Sequence, residues 1–127
     1  MQNSVDAQTT YSSTDLPITI VNNASSSNTS TITVSEDNCI SDINILDLQI
    51  THSWVNDLYV VLTSPEGTSV VLMDQICGGE DNVDINFDDS GTDYGSIPCG
   101  PVGNNGTYHP SGDLAAFVGE NMQGDWT

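Results

Sequence analysis

Residues Ile50–Leu72 read ITHSWVNDLYVVLTSPEGTSVVL, and this stretch contains two apolar runs joined by a turn signal. In the first run, Asp57–Thr63, every second side chain falls on one face of an extended strand. The apolar residues of that face are Leu58, Val60 and Leu62. Ser64-Pro65-Glu66-Gly67 follows, with proline and glycine at positions where a β-turn favours them. Ser69–Met73 is the second run, so the stretch predicts a β-hairpin.

The sequence before the hairpin predicts two short strands and one longer strand. Ile18–Val21 and Thr31–Val34 are the short ones, and Ile40–His52 is the longest strand candidate of the chain. The apolar residues of this longest candidate change phase near Leu46-Asp47. A change of phase predicts a β-bulge at that point or a crossing between two sheets.

The sequence after the hairpin is acidic at first and then rich in Gly, Pro and Asn. We predict that Cys77–Asp93 is an acidic loop containing one short strand, Val83–Phe87. Gly95–Gly112 is predicted to be a long ordered loop, and Leu114–Val118 a strand or a short helical turn. About seven short strands at this spacing predict an all-β fold, an antiparallel sandwich or jelly roll. The expected core residues are Ile43, Ile45, Leu48, Ile50, Leu58, Val60, Leu62, Val71, Phe87 and Phe117.

The charge of the chain is strongly negative, with 18 acidic residues, no Lys or Arg, and a formal net charge of −18. A field of this sign repels nucleic-acid phosphates and anionic membranes, so neither is an expected partner. Without basic side chains the natural counter-ions are cations, and carboxylates with carbonyls select hard ions such as Ca²⁺. A solvated, salt-adapted surface is the alternative explanation of the overall charge.

The length of 127 residues suits one domain with one core. We expect residues 1–17 to form an extended N-terminal segment and residues 18–127 to form the sandwich. No apolar run approaches the roughly 20 residues of a membrane-spanning helix, so membrane insertion is not expected.

The chain has three cysteines, Cys39, Cys77 and Cys99, and no CxxC pair. This pattern argues against a zinc site or a thioredoxin-type motif. In a secreted domain Cys77 and Cys99 could close a loop across the acidic segment. Cys39 would then be left without a partner.

Three stretches of the sequence resemble one known family. The first is the hairpin itself, through Ile50-Thr51-His52, Asp57-Leu58 and Leu62–Thr68. The second is GGEDNVDINFDD (Gly78–Asp89), and the third is YHPSGDLAAFVGENMQGDWT (Tyr108–Thr127). Together they resemble the proprotein convertase P domain, also called the P/Homo B domain, over roughly residues 30–127. Cysteines placed like Cys77 and Cys99 resemble the secreted bacterial branch of this family.

The resemblance implies a non-catalytic accessory domain that packs on a subtilisin-like catalytic domain and stabilises it, or that belongs to a multidomain surface protein. It also implies an extracellular location, secreted or at the cell surface, and a stabilising calcium ion. The expected partners are therefore an adjoining protease or surface-protein domain.

The end of the chain departs from the family pattern. The family continues after its Gly-x-Trp element with a further strand, whereas this sequence stops at Thr127, within that element. We expect the final strand to be missing or to be supplied by a partner, and the partner of Cys39 could lie there. The alternative function is therefore a subunit of an extracellular fibre, in which Thr14–Val21 of an identical subunit fills the groove by donor-strand complementation.

The acidic segment supplies the candidate metal ligands. Calcium needs six to eight oxygen ligands, and a loop that mixes Asp, Asn and backbone carbonyls offers them. The spacing does not match an EF-hand. The resemblance adds Asp57 from across the fold, and the alternative is a solvated loop whose Asp and Asn residues form turns. The full candidate set is Asp57, Glu80, Asp81, Asn82, Asp84, Asp88, Asp89 and Asp93.

The sequence contains no recognisable set of catalytic residues. His52 has Ser53, Ser64 and Asp57 near it in sequence, but the chain lacks a Gly-x-Ser-x-Gly elbow and a subtilisin-type serine motif. We expect His52 and His109 to be hydrogen-bonded structural histidines. Trp54 and Trp126 are expected to pack in the core or at its rim. A sugar-binding platform would require exposed aromatic residues, and its candidates are Trp54, Tyr59 and Tyr108.

Overall fold

The computed structural model describes residues 8–20 and 26–127, which contain seven strands and three short 3-10 helices. The strands are β1 (Ile32–Val34), β2 (Ile45–Ile50), β3 (Tyr59–Thr63), β4 (Ser69–Asp74), β5 (Val83–Thr92), β6 (Val102–Tyr108) and β7 (Gly124–Trp126). The 3-10 helices are η1 (Val55–Asp57), η2 (Tyr94–Ser96) and η3 (Leu114–Phe117).

The strands pair in three sets. β3 and β4 form the predicted hairpin, and β1 pairs antiparallel with β7. Reciprocal backbone hydrogen bonds of 2.7 and 3.0 Å between Thr63 and Thr127 bring the end of β7 beside β3. In the remaining sheet β5 lies between β2 and β6, antiparallel to the first and parallel to the second. The prediction of an all-β sandwich is confirmed, although the parallel pair departs from the all-antiparallel order expected.

The core is built from residues of every sheet and of η3. Of the expected core residues, Leu58, Phe87 and Phe117 are buried. Most of the others are half-buried and pack against the core from its margin. The sequence analysis missed several of the most enclosed positions contributed by β4, β5, β6 and η3, which include Met73, Ile85, Val102 and Leu114. It did expect Trp126 of β7 in the core or at its rim, and this residue is buried. Trp126 packs edge-on against Phe117 with ring centroids 5.1 Å apart.

The predicted irregularity near Leu46-Asp47 is a β-bulge in β2. The register with β5 shifts between Ile45 and Leu48, and Asp47 has a positive φ of 54°. The side chain of Asn86 on β5 holds this bulge, since its Oδ1 accepts a 2.8 Å hydrogen bond from the Asp47 backbone N–H. Strand β2 covers only part of the candidate Ile40–His52, because the residues on either side of it lack a ladder partner.

Two predicted loops contain strands. β5 runs five residues further than the predicted Val83–Phe87, since Phe87 and Thr92 both pair with Tyr108 and the residues between them bulge outward. A Cβ at Gly91 would lie 2.7 Å from the Tyr108 backbone, so this close approach requires glycine.

Strand β6 lies inside the predicted loop Gly95–Gly112. The strand contains a bulge in which Asn104 and Asn105 adopt left-handed conformations. Asparagine is suited to such conformations, so this part of the strand has the composition of a loop. The Nδ2 of Asn86 donates to the carbonyls of Asn105 and Gly106 and so fills the bulge. This contact comes from the neighbouring strand, which local composition could not indicate. For Leu114–Val118, the helical alternative is confirmed by η3.

The predicted strand Ile18–Val21 is wrong for residues 18–20, which form no strand; Val21 lies outside the described residues. The alternation of Ile18 and Ile20 towards the core with an exposed Thr19 is nevertheless present. The apolar pattern therefore identified the side that faces the core, and not a hydrogen-bonded ladder. The polar stretch Asn22–Asn28, whose composition predicts a turn, falls mostly outside the described residues.

The hairpin turn is fastened by a residue that the sequence analysis did not identify. Gly67 N–H donates 2.9 Å to the Ser64 carbonyl, which closes the predicted turn. The hydroxyls of Ser64 and Thr68 both donate to the carboxylate of Glu120, which follows η3. Ser64 is the one buried polar residue of the described chain, so its hydroxyl serves the fold.

Candidate functional site

The carboxylates of Asp88 and Asp93 are occupied by local hydrogen bonds. Asp88 Oδ1 accepts from both the backbone N–H and the hydroxyl of Ser90, each at 2.8 Å. Asp93 caps η2, and its Oδ2 accepts from the Gly95 N–H at 3.2 Å. Both residues therefore act as turn formers, as the alternative interpretation of the acidic segment proposed.

Asp89 fastens β5 to η3. Its Oδ1 and Oδ2 accept hydrogen bonds from the backbone N–H groups of Leu114 and Ala115, both at 2.8 Å. These are N–H groups at the start of a helical turn, which have no partner within it. His109 Nε2 lies 3.6 Å from Asp89 Oδ1 and 3.3 Å from Asp113 Oδ1, so the same carboxylate also faces a histidine.

The segment just after Cys77 lies against η1. Val55 N–H donates to the Glu80 carbonyl at 2.9 Å, and Asn56 N–H donates to the Gly78 carbonyl at 3.0 Å. These bonds place Asp57, the last residue of η1, on a segment bonded directly to the one that carries Glu80. Among the described residues, the carboxylates of Asp57, Glu80 and Asp81 make no side-chain hydrogen bond, so their oxygens are available to a cation.

Asn82 holds the entry to β5. It exchanges bonds with His52, whose carbonyl accepts from the Asn82 N–H at 2.8 Å and whose N–H donates to Asn82 Oδ1 at 3.0 Å. Asn82 has a positive φ of 63°, which asparagine tolerates better than most residues. Its side-chain oxygen is thus already engaged at one lone pair.

Asp84 carries the unusual atom of this region. Val83, Ile85 and Phe87 point into the core, and the intervening Asp84 points to the other face of the sheet. Its Oδ1 has an accessible area below 1 Å² and no hydrogen-bond partner. A buried carboxylate oxygen without a donor is costly, and the chain has no Lys or Arg to pair with it.

The eight predicted ligands do not form one cluster. Within residues 8–20 and 26–127, one group of three acid, histidine or cysteine ligand atoms lies within 4.8 Å, and it comprises Asp89, His109 and Asp113. Only Asp89 of these was in the candidate set. The eight candidates divide into two groups at the two ends of β5: Asp57, Glu80, Asp81, Asn82 and Asp84 at one end, and Asp88, Asp89 and Asp93 at the other.

The surroundings of His52 contain no catalytic arrangement among the described residues. His52 Nδ1 accepts a 3.2 Å bond from the Trp54 N–H, which is the structural role predicted for it. Ser64 is turned towards Glu120, as described above. His109 Nδ1 lies 2.7 Å from the Pro110 carbonyl, and its Nε2 faces carboxylates instead of a nucleophile.

Comparison with family models matches residues 42–127 to the proprotein convertase P-domain. The chain belongs to this family. The match covers more than half of the chain, including the hairpin, β5, β6 and η3, and it confirms the resemblance read from the sequence. No curated protein and no solved structure matches the chain.

Membership in the P-domain family indicates an accessory domain of a protease-type protein. A disulfide joins Cys77 and Cys99, 22 residues apart, and Cys39 is free and exposed. The disulfide fastens the start of the acidic segment to the residues before β6, since Cys99 pairs with Val102. Within the described residues no helix is long and apolar enough to cross a membrane.

The aromatic residues meet each of the two interpretations only in part, since Trp126 and not Trp54 packs in the core as expected. Trp126 is buried, whereas Trp54 is 53% exposed and Tyr59 is 60% exposed. Tyr108 is half-buried against the core. The sugar-binding hypothesis therefore retains two of its three exposed candidates and stays a prediction.

Residues 8–20, which precede the part matched to the P domain, pack against the core of the same chain. Tyr11 and Ile20 pack against the core, and Gln8 donates to Asp42. Asp15 accepts bonds from the Thr31 N–H at 2.9 Å and from the Ser30 hydroxyl at 2.7 Å. These bonds lower the pKa of Asp15 below its ordinary value of 3.8, and the bond from Thr31 has the larger effect. The division at residue 17 stays a prediction.

Proposed function

We propose that this P domain is a non-catalytic accessory domain, stabilised by calcium, of a secreted protease or of a multidomain surface protein. Family membership supports the accessory role. The polar residues of the family signature support it further, because Ser64, Thr68 and Glu120 bond to one another and hold the hairpin turn. The disulfide supports an oxidising compartment and hence secretion.

The observation that carries the calcium proposal is the unpaired buried oxygen of Asp84. In most proteins such an atom would meet a Lys or Arg, but none exists here, so a cation from solution is the available partner. Carboxylate oxygens favour a hard ion such as Ca²⁺ over a soft one.

Calcium would be held by Asp84 with residues of the segment that leads into β5. Those candidates are Glu80, Asp81, Asn82 and, from η1, Asp57. The ion would supply positive charge to carboxylates that otherwise repel one another, and it would tie η1 to the start of β5. Asp88, Asp89 and Asp93 leave the proposed calcium ligand set, since they lie at the other end of β5 from Asp84 and accept hydrogen bonds there.

The test is thermal unfolding in EDTA and in calcium. At a calcium concentration about 100 times Kd, binding adds about 2.7 kcal/mol, which corresponds to a rise in Tm of roughly 10 °C for a domain of this size. Magnesium at the same concentration is the control, because any divalent cation screens a charge of −18. If magnesium and calcium raised the Tm equally, screening of the negative charge would explain the whole effect, and the calcium proposal would be contradicted.

The accessory role has its own test, independent of calcium. We expect the gene region that encodes this domain to encode a catalytic or surface domain in the same protein. Co-expression with that domain should raise its Tm or its yield of folded protein. A partner domain that folds and acts equally well alone would contradict the accessory role and leave the calcium result unaffected.

The fibre remains the alternative proposal, and the exposure of Leu16 favours it. This residue is 61% exposed and lies within the proposed donor Thr14–Val21. The same segment packs on its own core through Ile20, so exchange between subunits would first require its release. Size-exclusion chromatography distinguishes the two functions: polymers that disappear on deletion of residues 1–20 support the fibre, and a strictly monomeric chain removes it.

A further inference from the structure

We propose that Asp89, His109 and Asp113 form a binding site for a transition-metal dication of the Zn²⁺ class. The site lies where the end of β6 and the start of η3 meet β5. It is distinct from the calcium ligands proposed around Asp84, and it does not depend on the accessory function.

The spacing of the three ligand atoms suits a small metal ion. His109 Nε2 lies 3.3 Å from Asp113 Oδ1 and 3.6 Å from Asp89 Oδ1, and all three atoms lie within 4.8 Å of one another. Zinc binds nitrogen and oxygen ligands at about 2.0–2.2 Å in tetrahedral geometry. Two ligand atoms at the corners of such a tetrahedron lie about 3.3–3.6 Å apart. Two of the three distances between ligand atoms therefore already match a zinc site.

The histidine is oriented as a metal ligand. Its Nδ1 lies 2.7 Å from the Pro110 carbonyl, and a carbonyl oxygen can only accept, so the proton is on Nδ1. The lone pair of a neutral imidazole is then on Nε2, which faces the two carboxylates. A histidine that donates its other N–H to a backbone carbonyl is the usual outer arrangement of a metal site.

The carboxylates differ in how firmly they are held. The backbone N–H groups of Leu114 and Ala115 fix the orientation of Asp89. For His109, the backbone N–H donates a 2.7 Å hydrogen bond to the Thr92 carbonyl, and the ring is held by the contact of Nδ1 with Pro110. Asp113 is on the surface, with its side chain 78% exposed, and among the described residues its carboxylate makes no hydrogen bond or ion pair other than that with His109. Two ligands are therefore preorganised, and the third can close on an ion that arrives from solvent.

The charge and donor types select the class of ion. Two carboxylates face the Nε2 lone pair, and a dication between them relieves a repulsion that no basic side chain of this chain can relieve. An imidazole nitrogen favours zinc, cobalt or nickel over calcium and magnesium. The rival arrangement is a protonated His109 that pairs with the two carboxylates directly and binds no metal.

The test uses the full chain with Cys39→Ser, because the exposed Cys39 thiol is itself a zinc ligand. Zinc is titrated at neutral pH, and the imidazole ¹⁵N resonances of His109 and His52 are recorded by NMR. We expect the Nε2 resonance of His109 to move on zinc addition, with those of His52 unchanged. Calcium at the same concentration should leave both unchanged.

Variants show whether the three ligands act together. Removing either ligand, by Asp113→Asn or His109→Gln, should weaken zinc binding at least about tenfold. Asp74→Asn is the matched control, because it removes one exposed carboxylate of the same type at the end of β4 and should leave zinc affinity unchanged. Should His109→Gln fail to fold, the exposed Asp113 still permits the comparison.

Three results would overturn the proposal. One is a His109 Nε2 resonance that does not respond to zinc, as expected of the protonated ion pair. Another is an equal loss of affinity in Asp74→Asn and Asp113→Asn, which would show diffuse attraction to the acidic surface. The third is a response of His109 to calcium as strong as its response to zinc.

Discussion

The two ends of β5 carry similar numbers of acidic residues and use them differently. At the far end, the carboxylates of Asp88, Asp89 and Asp93 accept hydrogen bonds from Ser90, from η3 and from Gly95. At the near end, Glu80 and Asp81 have no side-chain bond among the described residues, and Asp84 has a buried oxygen without a donor. The difference indicates that the far-end carboxylates already have hydrogen-bond donors from the protein and need no calcium, whereas the near end is where we propose that calcium binds.

The largest expected effect comes from removing the disulfide that encloses both ends. Replacing Cys77 and Cys99 with alanine opens a loop of 22 residues and should lower the free energy of unfolding by about 3 kcal/mol. Chemical denaturation measures it. Cys39→Ser is the control, and it should change stability by less than about 0.5 kcal/mol, because Cys39 is free and exposed.

We further expect the loss of the disulfide to affect the near end more. Cys77 immediately precedes the Glu80 segment, and Cys99 pairs with Val102, the register partner of Val83. The calcium-dependent rise in Tm should therefore shrink in the double variant. An unchanged calcium response would show that the ion does not depend on this segment.

A smaller effect is expected from Asp89→Asn, measured in EDTA. The amide can accept only one of the two N–H bonds from η3, and the loss of a charge-assisted bond costs about 2 kcal/mol. Calcium should not alter this difference, since the far end does not use it. Asp88→Asn is the control and should cost under about 0.5 kcal/mol, because an asparagine Oδ1 can keep the local bonds to Ser90. A loss in Asp89→Asn that calcium repairs would contradict the comparison.

The smallest effect concerns Asp15. Its exposed carboxylate accepts hydrogen bonds from the protein, as the carboxylates at the far end of β5 do. Its pKa is lowered in the folded state by the Thr31 N–H and the Ser30 hydroxyl. A lowered pKa contributes stability above the unfolded value of 3.8, and that contribution is lost as the pH falls through the folded value. Stability curves of the wild type and Asp15→Asn should therefore differ slightly at neutral pH and converge below pH 3.8. Curves that diverge on acidification would show the opposite sign.

The sequence predicted the parts of the fold that depend on local pattern. The hairpin, its Pro65–Gly67 turn and the bulge near Asp47 follow from alternation and turn chemistry. Strand β6 was missed because its Gly103–Asn105 bulge has the composition of a loop, whereas its place in the sheet depends on pairing with β5 and on the bonds from Asn86. The network of Glu120 with Ser64 and Thr68 was also missed. Glu120 is more than 50 residues from both hydroxyl residues, so local pattern does not indicate the contact.

The candidate site was predicted as a stretch of sequence and not as an arrangement in space. Counting acids in Glu80–Asp93 could not show that Asp89 is bonded to η3, since that depends on how the chain returns 25 residues later. Nor could it show that Asp84 Oδ1 is enclosed. The grouping of Asp89 with His109 and Asp113 was also inaccessible, because His109 follows β6, which the sequence analysis treated as a loop.

The most direct test of the central claim is the stability of Asp84→Asn relative to the wild type, measured with and without calcium. In EDTA the variant should be the more stable protein, because it replaces a half-buried carboxylate, one oxygen of which is enclosed and unpaired, with a neutral amide. In saturating calcium the order should reverse, since the variant has lost a charged ligand of the ion. A variant that is less stable than the wild type by the same amount in both conditions would contradict the claim that Asp84 awaits a cation.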